Sequence, residues 1–280
     1  IPAFSGLQNG MHWASLEPWS AGVEGKIVDA PYTIDLPEPG SQGPWKTGDG
    51  IGVGTVAALG VLPDGHLVEL GTLDANGEPR CYLRRRDGDD ASWAPEDFVE
   101  VLAGAYCNAI DMKIDRVSGA MHVLVERKGG NGVQWWLGEI ASWGKGAKEI
   151  ELGAISDNVL ALALGDGVMA VCGWKLAQAD RDAAVWLVRP GQPRELRVFD
   201  YQPKGDGKAH KFDETARDCV LAGEVLVLVG EAFGALGAKD AQRNHRFVLE
   251  HDTITSVATW TVAGTGPGTQ SRALAVDVDK

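Results

Sequence analysis

AALGVLPDGHLVEL, residues 57–70, sets two short apolar runs on either side of a Pro63-Asp64-Gly65 turn. Runs of this length, rich in Val and Leu and hinged on Asp-Gly, read as a β-hairpin. The first run comes back as NAIDMKIDR from Asn108, NVLALALGD from Asn158, TARDCVLAG from Thr215 and RALAVDVDK from Arg272. A partner run follows the first three of these: AMHVLVE after Ser118-Gly119, VMAVCGW after Gly165-Asp166-Gly167, and EVLVLVGE after Ala222-Gly223. The run at Arg272–Lys280 is followed by nothing.

Two further strands complete each unit. A third strand reads RCYLRRR from Arg80, VQWWLGEI from Val133, AAVWLVRP from Ala183 and RFVLEH from Arg246. A fourth reads DFVEVLAG, KEIELGA, RELRVFDY and VATWTVAG. Four short strands, A to D, repeated every fifty to sixty residues or so are the pattern of propeller blades. The uninterrupted apolar A runs fit innermost strands covered on both faces. The blades span 53–104, 107–154, 157–203 and 214–264. MHWASLEPW (Met11–Trp19) and GKIVDAPYTIDL (Gly25–Leu36) fit strands C and D of a fifth blade over 11–38, whose A strand is 272–280 and whose B strand has room in residues 1–10 alone. The expectation is one all-β domain over 1–280. It is a five-bladed β-propeller of four-stranded antiparallel blades, its ring closed by a blade shared between the N- and C-termini, so that no sheet edge is left open.

ALGVLPDGHL and ALAVDVDK give the chain a generic likeness. It resembles the broad class of bacterial β-propeller repeats whose blades read as apolar strand, Asp-Gly turn, apolar strand ending in Gly. The resemblance covers most of the chain and implies the fold. It carries over no catalytic residue, and the fourth unit departs from it with Arg217 and Asp218 inside strand A.

Composition narrows the function. With 280 residues, 44% of them hydrophobic, the chain can bury a substantial core unaided. A net charge of -13 repels phosphate backbones and anionic lipids, which argues against nucleic acid as a partner. No apolar stretch reaches the roughly eighteen residues of a membrane span. IPAFSG has neither an initiator Met nor a signal pattern, so the N-terminus reads as processed or trimmed. A secreted, periplasmic or cell-surface location is expected. Cys81, Cys107, Cys172 and Cys219 match no zinc or redox spacing; they are either buried thiols or up to two disulfides in one of three connectivities.

In this strand order the B-to-C and D-to-A connections emerge on one face. Their longest stretches, 176–182, 232–245 and 202–213, converge over blades three and four. Loops on a rigid scaffold are where binding residues gather. Asp182, Asp206, His210, Asp213, Asp240, Arg243 and His245 are therefore the candidate ligand-binding residues. A second set, Asp111, Lys113, Arg217 and Asp218, falls in A strands near the axis. It reads as compensating charges in a wet channel, Asp111 with Lys113 and Arg217 with Asp218. Read catalytically, its carboxylates would serve a glycoside hydrolase, whose two acids stand about 5 to 9.5 Å apart.

Other motifs are weak. DGDDASW (Asp87–Trp93) is one residue too long for the Asp-box of sialidase-like propellers, and most tryptophans should pack between blades. GIGVGTV leads into a strand, which offers no helix N-terminus to a phosphate. No Gly-x-Ser-x-Gly or His-Glu-x-x-His motif occurs. No cofactor or metal is expected, beyond weak calcium at acidic turns such as Arg86–Asp90. The sequence thus predicts an exported, non-enzymatic binding or interaction module for a carbohydrate or protein surface. A five-bladed glycosidase-like enzyme is the first alternative and a structural component of a surface assembly the second.

Overall fold

The computed structural model describes residues 10–16, 19–20, 23–24, 28–34, 54–75, 77–86, 98–129, 132–150, 152, 158–177, 180–201, 212–234, 243–253 and 256–263. Two compact units divide the chain, Ile1–Asp49 and Gly50–Lys280. In the first, β1 (Gly10–Leu16) pairs antiparallel with β4 (Val28–Ile34), from Gly10 opposite Ile34 to Leu16 opposite Val28. Between them β2 (Trp19–Ser20) and β3 (Val23–Glu24) form a short ladder of their own. β1 and β4 fall largely within the two segments, Met11–Trp19 and Gly25–Leu36, that the sequence reads as neighbouring strands, and they pair antiparallel.

The second unit holds four blades. Blade one is β5 (Gly54–Val61), β6 (Leu67–Ala75), β7 (Glu78–Arg86) and β8 (Phe98–Glu100). Blade two is β9 (Cys107–Ile114), β10 (Met121–Gly129), β11 (Gly132–Ile140) and β12 (Lys148–Ile150). Blade three is β13 (Asn158–Gly165), β14 (Val168–Ala177), β15 (Asp180–Val188) and β16 (Glu195–Phe199). Blade four is β17 (Asp213–Ala222), β18 (Val225–Gly234), β19 (Arg243–Asp252) and β20 (Ala258–Ala263). Each is an antiparallel meander in chain order, and the first strands of consecutive blades pack side by side. This is β-propeller architecture. The Asp-Gly, Ser-Gly and Ala-Gly turns do what their glycines predict, with Gly65, Gly119, Gly167 and Gly223 all at positive φ.

Each of the four A strands among the described residues carries the same irregularity. The register shifts by one residue against strand B at Ala57, Ile110, Leu160 and Arg217, a β-bulge at one fixed place in the repeat. Opposite the residue just before the bulge stands Gly71, Gly173 or Gly230 in blades one, three and four, and Val125 in blade two. A Cβ on these glycines would run into the backbone carbonyl of Thr55 (at 2.7 Å), Asn158 or Thr215. The glycine that ends each "apolar strand ending in Gly" therefore makes room for the bulged neighbour.

The core lies between blades, one cluster per junction. Leu70, Leu83, Met112, Met121 and Trp136 fill the junction of blades one and two. Leu124, Leu137, Val159, Leu162 and Trp186 fill the next, and Leu187, Phe199, Phe212, Leu228 and Phe247 the third. Two disulfides add covalent links: Cys81–Cys107 joins β7 to β9, and Cys172–Cys219 joins β14 to β17. All four cysteines are consumed.

The expected ring of five blades is met in part. Four blades stand among the described residues, and the proposed A strand at 272–280 and all but Gly10 of the room for strand B lie outside them. One flank of the second unit is uncovered. On β5, Val56, Leu59 and Val61 are 47%, 55% and 60% exposed, whereas Val159 and Leu162, the β13 counterparts of the first two, are fully buried.

Candidate functional site

Only part of the expected ligand-binding set lies among the described residues. Asp206, His210 and Asp240 lie outside them, as does the side chain of Arg243 and the turn 87–90 suggested for calcium. The others are not loop residues. In blade three the B and C strands run on as far as Ala177 opposite Asp180, so the connection shrinks to 178–179 and Asp182 sits inside β15, opposite Lys175. Two contacts stabilise this extension: the Arg181 guanidinium lies over the Trp174 ring, and the Arg181 N–H donates to Asp213 Oδ1 at 3.0 Å. Arg243 and His245 likewise belong to β19, paired with Gly234 and Ala232 of β18. His245 is fully buried, its Nε2 3.1 Å from the Gly234 carbonyl and its ring edge-on to Phe212. That is a core histidine's environment.

The axial set is tied into the scaffold. Asp111 follows the bulge in β9; its Oδ1 accepts from the Met112 N–H at 2.7 Å and its Oδ2 from the Leu162 N–H of β13 at 2.8 Å. Lys113 Nζ lies 3.2 Å from the same Oδ2, the compensation expected. Burial pushes the Asp111 carboxyl up, and Lys113 and the two N–H groups oppose that. Asp218 holds the same position in blade four, and its Oδ1 accepts from the Cys219 N–H at 2.8 Å. Arg217 reaches across to Glu231 on β18, with Nε 3.1 Å from Oε1; the pairing expected was with Asp218. The bulge explains this, since it takes Arg217 out of the alternation that the sequence suggests.

A group that the sequence barely signals gathers at the junction of blades three and four. Asp182 on β15, Asp200 just past β16 and Glu214 on β17 each place one carboxylate oxygen within 4.8 Å of the others. Asp182 is 8% exposed and Glu214 fully buried, while Asp200 is exposed. Glu214 Oε1 accepts from the Tyr201 N–H at 3.3 Å, and its Oε2 is buried without a hydrogen-bond partner among the described residues. Burial pushes the Glu214 carboxyl up to about 9; the Tyr201 N–H opposes this, and the charges of Asp200 and Asp182 add to it. Burial first, then Asp200 and Asp180, push Asp182 up to about 6.

Elsewhere buried carboxylates have cations. Glu69 takes Tyr82 Oη at 2.6 Å and Arg84 Nη2 at 3.1 Å on each oxygen, and Glu231 takes Arg217. The charges that move Asp182 and Glu214 are acidic ones. Nothing in RELRVFDY or in the approach to TARDCVLAG marks Asp200 and Glu214. The available signal is an alignment of the units on their bulges, which sets Glu214 beside Cys107 as the residue three places ahead of the bulge.

The chain is thus a β-propeller with three carboxylates gathered at one blade junction, two of them buried. No protein-family model matches it and no curated protein does, so the resemblance to bacterial repeats has no family to attach to. Among the described residues no helix is long and apolar enough to cross a membrane.

Proposed function

We propose that this chain is an exported, non-enzymatic binding module whose contact surface is the face over blades three and four, and whose ligand is a carbohydrate or a protein surface. The observation that carries this reading is the Asp182–Asp200–Glu214 group. Gathering buried carboxylates without a cation is costly to a fold, and carboxyls so strongly perturbed in one place are candidates for a functional site. Export is supported by the two disulfides, which persist in oxidising compartments.

The glycosidase reading draws less support. Asp111 has both oxygens engaged by backbone N–H groups. The three junction carboxylates come within 4.8 Å, closer than the 5 to 9.5 Å or so that glycosidase acid pairs keep for substrate or water. Closure of the ring by a fifth blade belongs to the same proposal. It is supported by the uncovered Val56, Leu59 and Val61 on β5, by the C-and-D-like ribbon of β1 and β4, and by the A-like run at 272–280.

A glycan array and a panel of extracellular-matrix and surface proteins, run beside a screen of chromogenic glycosides, test the function. Saturable binding to one array, weakened by Asp182→Asn with Asp213→Asn, is the expected result. Glycoside turnover that disappears on replacing Asp111 or Asp218 would replace the binding module with an enzyme.

A further inference from the structure

We infer that Asp182, Asp200 and Glu214 form a site for a hard divalent cation, calcium in preference to magnesium, that cross-links blades three and four. This goes beyond the binding-module reading and does not depend on any glycan or protein ligand being found. The donor set is oxygen alone, with no Cys or His, which selects hard cations over zinc or copper. Calcium holds oxygens at about 2.3–2.6 Å, so two ligands on one ion stand up to about 5 Å apart; magnesium, at about 2.1 Å, spans about 4.2 Å. All three oxygens fall within 4.8 Å of one another, which one calcium ion can span, whereas magnesium keeps several of its waters and is usually held by one or two carboxylates.

A second observation concerns Glu214, the most buried member, one oxygen of which lies within 4.8 Å of the other two carboxylates. Glu214 is wholly shielded from solvent, and its Oε2 has no hydrogen-bond partner among the described residues. A carboxylate oxygen stripped of water and given no donor is costly to hold, and a metal ion is the partner that answers it. The charges acting on it from β15 and the end of β16 are those of Asp182 and Asp200. Asp180 and Arg181 flank Asp182 on its own strand, Lys175 faces it on β14, and Asp213 precedes Glu214 on β17.

The repeat supplies a third argument. Three places ahead of the bulge, blade two has Cys107 and blade four has Glu214. Cys107 is bonded to Cys81, whose counterpart in blade three is Ala183, next to Asp182. The same spot that carries a covalent link at the first junction would carry an ionic one at the third.

The test uses the full chain, stripped with EGTA and dialysed at pH 8. Calcium chloride should raise the melting temperature by about 5–10 °C at a hundredfold excess over Kd, with a smaller rise from magnesium chloride. Terbium should bind with luminescence sensitised through Tyr201, whose N–H donates to Glu214, and through Trp260, whose ring lies 5.3 Å from that of Tyr201. In Glu214→Gln, and separately in Asp182→Asn with Asp200→Asn, the calcium shift and the terbium signal should both disappear, with circular dichroism unchanged. If one variant fails to fold, the other decides. No thermal shift, a shift equal in wild type and variants, or a larger response to magnesium would each overturn the assignment.

Discussion

Three places ahead of the bulge in blade two, Cys107 is tied to Cys81, with Cα atoms 5.2 Å apart; in the same place in blade four Glu214 lies buried among carboxylates. Leu102, packed against the first core, has Asp200 as its counterpart, and Arg80 has Asp182. One repeat therefore makes a covalent, apolar junction and a charged one from the same backbone. The third junction keeps its own disulfide one layer away, Cys172–Cys219, with Cα atoms 6.5 Å apart. The staple and the charged layer are separate there, so the carboxylates can be altered without unstapling the blades.

The most drastic way to break the difference is to remove the staples. The Cys172–Cys219 link spans 47 residues and Cys81–Cys107 spans 26. Loop-closure entropy makes their loss worth about 4 and 3.5 kcal/mol, so paired Ser variants should melt on the order of 10 °C lower by calorimetry. The most incisive exchange makes junction three imitate junction one. Ala183→Cys with Glu214→Cys should oxidise spontaneously, stabilise the chain by about 3 kcal/mol, and abolish any response to calcium; persistent free thiols in a titration would show that the two junctions are not equivalent.

Smaller effects probe the bulge and the charges. Gly173→Ala drives a Cβ into the Asn158 carbonyl and should cost about 2–3 kcal/mol in denaturant unfolding. Metal-free protein should also lose stability as pH rises. Glu214 is held at about 9 when folded against an ordinary value of 4.5, and Asp182 at about 6 against 3.8. The folded state thus keeps protons that the unfolded chain releases. That stabilisation is complete below about pH 4 and is lost through pH 6 for Asp182 and pH 9 for Glu214. Melting temperatures measured from pH 5 to 9 should fall, and Glu214→Gln should flatten the upper part of the fall. Asp111→Asn, which weakens the Leu162 link between blades two and three, should cost about 1–2 kcal/mol in denaturant unfolding.

The blades are legible in the sequence because Asp-Gly turns and apolar alternation are local signals, and Gly65, Gly167 and Gly223 behave as their turns require. The pocket is not. Asp182 reads as a loop residue, but Arg181 on Trp174 and Asp213 on the Arg181 N–H extend β15 past it. Asp200 and Glu214 give no signal because each sits at the end of an apolar run, and only adjacency across two blades gives them company. The cysteine pairing is open in the sequence for the same reason: Cys81 and Cys107 meet through packing of neighbouring blades, which spacing along the chain does not encode. The bulge, invisible in the pattern, also decides that Arg217 reaches Glu231.

A chain of near-copies invites wrong partnerships while it folds, since the A strand of one unit can be offered to the B strand of another. The shared bulge and its facing glycine fix the sliding position within a pair but fit three of the four units equally well. Cys81 and Cys107, and Cys172 and Cys219, come together only when the correct units are neighbours. Because thiolate exchange lets a mistaken link be undone, the two bridges act as proofreaders of blade order, rejecting shuffled arrangements that hydrophobic burial alone would accept.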